Sequence, residues 1–91
     1  MEKRLLADGL YQYLLRLQGI LQERGAFTLA EKVQFASRFA FGSTTELYTE
    51  AENALRGVLA EHGSILREQE LCELREILKG IDAEFKLIGG S

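Results

Sequence analysis

Apolar residues recur along the chain at helical spacing in four stretches, separated by glycines and short polar turns. In the first, Leu6, Leu10, Tyr13, Leu17 and Ile20 step by 4, 3, 4 and 3 residues, and Leu14 and Leu21 widen the stripe. This is the period of one helix face, and it predicts a helix over about 2–24. Gly9 and Gly19 lie inside it, each less favourable than alanine by up to ~1 kcal/mol. Gly9 reads as a loosened first turn, Gly19 as a point of close helix approach. The second stretch opens at Thr28-Leu29-Ala30-Glu31, which has the form of a capping box, and predicts a helix over 28–41 that stops before Gly42. Ser43-Thr44-Thr45-Glu46 has the same form and opens a third helix over 44–62, with a stripe of Leu47, Ala51, Ala54, Leu55, Val58 and His62. Ser64 is the expected cap of a fourth, 65–88, striped by Leu71, Leu74, Leu78, Ile81, Phe85 and Ile88. Residues 89–91 read as a flexible tail.

Composition points the same way. There are 16 Leu and 9 Ala against 5 Ile and 2 Val, and no proline, a balance that favours helix over strand. Ninety-one residues suit one small domain. The turns are only a few residues long, as between antiparallel helical neighbours. The expected fold is therefore all-α: one domain over 1–88, built as a four-helix up-down bundle or as two stacked helical hairpins. A faint echo of pattern L-x-G-[IV]-L-x-E-x-G joins Leu17–Gly25 to Leu55–Gly63, 38 residues later. It reads either as a pseudo-repeat of two hairpins or as the chance likeness of leucine-rich helix ends.

Charge and candidate chemistry exclude several functions. The net charge is −3, and Lys3-Arg4 is the only adjacent basic pair before the interleaved charges of the fourth helix, so no phosphate-backbone footprint is expected. Structural zinc needs four Cys or His ligands and catalytic zinc three protein ligands. This chain has His62 and Cys72 alone. A carboxylate di-iron bundle uses Glu-x-x-His, whereas Leu59 stands three residues before His62. A cysteine nucleophile needs a base, and His62 is the only imidazole; Cys72, on the polar side of the fourth helix, reads as an incidental thiol. His62 reads as a helix C-terminal cap or as packing at the end of its stripe. No glycine loop of a phosphate-binding type is present. The carboxylates Glu68, Glu70, Glu73, Glu76, Asp82 and Glu84 alternate with Arg67, Arg75, Lys79 and Lys86, as on a solvated face. No enzyme activity, metal, cofactor, nucleic acid, membrane or small-molecule substrate is therefore expected. The charged N-terminal residues and the lack of a ~20-residue apolar run lead us to expect a cytoplasmic protein.

The second stretch is unusual. Phe27, Phe35, Phe39 and Phe41, four of the five phenylalanines, fall within it. At 100° per residue, Leu29, Val33, Ala36 and Ala40 form one stripe, and Phe35 and Phe39 form another about 100° away. Such a helix is either sandwiched between the other three or turns Phe35 and Phe39 outward to another chain. Aromatic residues are enriched at the cores of interfaces. Phe35, Phe39, Phe41, Tyr11 and Tyr48 are the candidate partner-binding residues. The expected function is a non-enzymatic interaction module that forms a homodimer through this helix. The alternative is a small acidic binding inhibitor, such as a bacterial toxin immunity protein.

Overall fold

The computed structural model describes residues 7–61 and 65–89. Four helices follow in order: α1 (Ala7–Glu23), α2 (Phe27–Ser37), α3 (Thr44–Ala60) and α4 (Glu68–Gly89), with a 3-10 segment, Arg38–Phe41, between α2 and α3. The described residues hold no strand, so the domain is all-α.

Each helix boundary has a local cause. Gly25 takes φ +81°, the left-handed conformation that costs a side-chain-bearing residue ~1–2 kcal/mol. The Gly25 N–H donates to the Gln22 carbonyl (3.2 Å) and the Ala26 N–H to the Leu21 carbonyl (2.9 Å). These two bonds form a Schellman ending to α1. The motif delivers the chain straight into α2, whose N-cap is Ala26 with no side-chain cap bond. The expected Thr28 cap is thus corrected. The helix has already begun when Thr28 is reached, because the glycine turn leaves no room for a cap further on. At the other end, the Ser37 hydroxyl donates to the Gln34 carbonyl at 2.6 Å. Back-bonding of this kind competes with the α-helical ladder, and Arg38–Phe41 tighten to 3-10 geometry instead of continuing α2 to 41.

Ser43 caps α3 as expected, its hydroxyl accepting from the Glu46 N–H at 3.4 Å. The start of α4 shifts from the expected 65 to Glu68. There the Arg67 N–H donates to Glu70 Oε1 at 2.7 Å, the return half of a capping box. Leu66 and Leu71, which flank this cap at the hydrophobic-staple positions, both join the core. Gly89 is helical, not part of a tail. Leu6, His62, Gly63, Ser64, Gly90 and Ser91 lie outside the described residues, with the expected roles assigned to them.

Leu10, Leu14, Leu21, Val33, Leu47, Leu55, Val58, Leu74 and Ile81 are fully buried at the centre. Their spacing is that of the four stripes read from the sequence. The helices pack in up-down order. Tyr48, early in α3, meets Phe85, late in α4, with ring centroids 6.3 Å apart. Arg16 of α1 pairs with Glu73 of α4 at 3.4 Å. The radius of gyration is 12.6 Å, close to the ~12 Å of a compact chain of this length.

Two expectations change. A Cβ built at Gly19 meets nothing within 4 Å, so no helix approaches there. Glu84 is buried, 5% exposed, so it leaves the solvated face on which its neighbours sit. Asp82 and Lys86 do pair on that face, at 3.5 Å.

Candidate functional site

The second helix has one covered side. Leu29, Ala30, Val33, Ala36 and Ser37 are buried against the other helices. On the opposite ridge stand Phe27, Glu31, Gln34, Phe35, Arg38 and Phe41, all exposed. Steps of three and four residues keep them on one side through both the α-helix and the tighter 3-10 turn. Phe27 is 64% exposed, Phe35 53% and Phe41 83%. Of the two residues expected to turn outward if the helix is not sandwiched, Phe35 is exposed, whereas Phe39 is half-buried against the core.

The five expected partner-binding residues therefore divide. Phe35 and Phe41 lie on the open ridge. Phe39 is half-buried and packs against the core, its ring edge-on to Phe35 at 5.3 Å. Tyr11 of α1 is half-buried and meets Phe41 edge-on at 5.5 Å, extending the aromatic surface across to α1. Tyr48 does not belong with them. It is 2% exposed, because α3 turns it inward beside Leu47 and beneath Phe85 of α4. Phe27, read from the sequence only as a flank of the helix, is one of its most exposed aromatics.

Beside the ridge runs an open groove of about 470 Å³, where Thr28, Glu31, Lys32 and Phe35 of α2 face Glu50 and Asn53 of α3. Glu31, Gln34, Phe35 and Arg38 line a second shallow depression on the ridge itself. The surface thus mixes aromatic and charged groups. Both depressions are open, unlike the enclosed clefts that bury most of a small ligand.

A polar cluster that the sequence pattern does not predict lies elsewhere, at the end of α1. Arg24, at the end of α1, donates from Nη1 to Glu70 Oε1 at 2.6 Å and from Nη2 to Oε2 at 2.9 Å. Nη1 also reaches the Ile65 carbonyl at 2.7 Å. The fork pins the turn after α3 and the start of α4 to the end of α1. The Arg24 guanidinium, aided by the Arg67 N–H, holds the Glu70 carboxyl down at about 2, and Glu70 in turn raises the Arg24 pKa. Nothing local announces a pair 46 residues apart in sequence. Burial, reinforced by Glu73, pushes the Tyr13 phenol well above its usual range, so it stays neutral. These groups brace the bundle.

Cys72 is a free, exposed thiol. Among the described residues no group of three or more His, Cys, Asp or Glu is placed to hold a metal ion. No described helix is long and apolar enough to cross a membrane. No protein-family model, curated protein or solved structure matches the chain.

Proposed function

We propose that this chain is a non-enzymatic helical interaction module that self-associates through the outer ridge of α2 and the 3-10 segment. The observation that carries the reading is the exposure of Phe27, Phe35 and Phe41 on one ridge of a helix whose other side is committed to the core. Together they expose the equivalent of two whole phenylalanine side chains, ~400 Å² at the usual size of an aromatic group. A standard interface takes ~800 Å² from each partner. Tyr11, Gln34, Arg38 and the wall of the adjoining groove supply polar and apolar surface around the aromatics. Association would also add stability by mass action to a domain with a modest core.

Sedimentation velocity from low micromolar to submillimolar concentration tests the reading. A reversible monomer–dimer equilibrium is expected. A strictly monomeric species across that range would reject it.

A further inference from the structure

The order of residues along the ridge specifies how two copies meet. Glu31 and Arg38 stand at equal distances on either side of the midpoint between Gln34 and Phe35. Phe27 and Phe41 stand seven residues on either side of Gln34. The charges at the inner pair of positions are opposite, and the outer pair are both exposed aromatics. Among the described residues, neither Glu31 nor Arg38 makes an ion pair within its own chain. Both line the same depression as Phe35.

We infer that the ridge docks on the same ridge of a second copy, antiparallel, about a two-fold axis passing beside Gln34 and Phe35. This inference rests on the self-association proposed above and adds its register. In a two-fold contact, residue i meets residue j of the other copy and j meets i. The antiparallel register therefore sets Glu31 of each copy opposite Arg38 of the other, giving two equivalent ion pairs. It also brings Phe27 within one residue of the position opposite the other copy's Phe41 at each end, with the two Phe35 rings near the axis. A parallel register would place Glu31 against Glu31 and Arg38 against Arg38, which like-charge repulsion disfavours. Charge complementarity thus selects both the occupant, a second copy of this chain, and its direction.

The test is charge reversal in the full chain, read as the dimer dissociation constant by sedimentation equilibrium, with circular dichroism as the check on folding. Glu31→Arg alone and Arg38→Glu alone each weaken the dimer by about tenfold or more, since each creates two like-charge contacts across the axis. The double variant Glu31→Arg/Arg38→Glu restores pairing in the reversed sense and returns the constant to within a few-fold of the unmodified chain. A double variant weaker than either single overturns the antiparallel register while leaving self-association standing. An unmodified chain that is itself monomeric overturns both. Oxidation of Gln34→Cys in a Cys72→Ser background gives an independent reading. A disulfide-linked dimer is expected, because this position lies beside the axis, and failure to cross-link overturns the register.

Discussion

Replacing Phe35 with serine separates the role of the ridge in association from its role in folding. The side chain is 53% exposed, so about half of it is already covered within one chain. Full burial of a phenylalanine is worth ~1.5–3 kcal/mol, and the covered half therefore about 1 kcal/mol. Losing the edge-on contact with Phe39, at 5.3 Å, removes a further ~0.5–1.5 kcal/mol. The folding cost is about 2 kcal/mol, which lowers Tm by roughly 10 °C in a domain of this size. Association should suffer more. A central interface aromatic costs ~2 kcal/mol or more when truncated, and a two-fold contact loses it twice. The resulting ~4 kcal/mol is about three decades in dissociation constant. The two effects are measured apart: folding by urea titration at a concentration where both proteins are monomeric, association by sedimentation equilibrium. Concentration must be matched because dimerisation itself raises apparent stability. A Phe35→Ser chain that dimerises as tightly as the unmodified one would refute the placement of the interface. A chain that loses its helicity would show that Phe35 belongs to the core.

Three further outcomes follow from the fold. Leu55→Ala, at a side chain with no exposure, costs ~2–5 kcal/mol in urea titration, whereas Leu87→Ala, at 66% exposure, stays within about 0.5 kcal/mol. Gly25→Ala forces an alanine to φ +81° and costs ~1–2 kcal/mol. Gly19→Ala, with nothing within 4 Å of its new Cβ, instead raises stability by up to ~1 kcal/mol. The Glu70 carboxyl is held at about 2, below its ordinary 4.5. A depressed carboxyl stabilises the native state only while ionised. Its contribution is complete above pH 4.5 and is lost as pH falls from there to about 2. Urea midpoints measured through that window fall for the unmodified chain, and Glu70→Gln makes the fall shallower; equal slopes would refute the Arg24–Glu70 account.

The helical pattern made the core legible, because a stripe of period 3.6 has only one side to bury. Leu10, Leu14, Leu47, Leu55, Leu74 and Ile81 occupy the interior as their spacing implies. Glycine-turn and cap chemistry was legible at Gly25 and at Ser43 for the same local reason. Thr28 misled because a capping pattern competes with whatever precedes it, and here a Schellman ending had already aimed the chain into α2. Tyr48 misled because its position off the α3 stripe takes no account of α4, whose Phe85 covers it. The Arg24–Glu70 fork was invisible in principle, since the two residues meet only once α1 and α4 have packed. For the candidate site, the crowding of phenylalanines in one stretch could be read directly. Which of them turn outward required the position of every other helix.

The proposed contact between two copies lies on the outer ridge of α2 and the 3-10 segment. Aromatic NMR spectra recorded over a dilution series test it most directly, because one experiment reports both association and its location. The ring signals of Phe27, Phe35 and Phe41 are expected to shift with concentration while those of the buried Tyr48 and its neighbour Phe85 stay fixed. Spectra unchanged by dilution, or shifts confined to another face of the bundle, would contradict it.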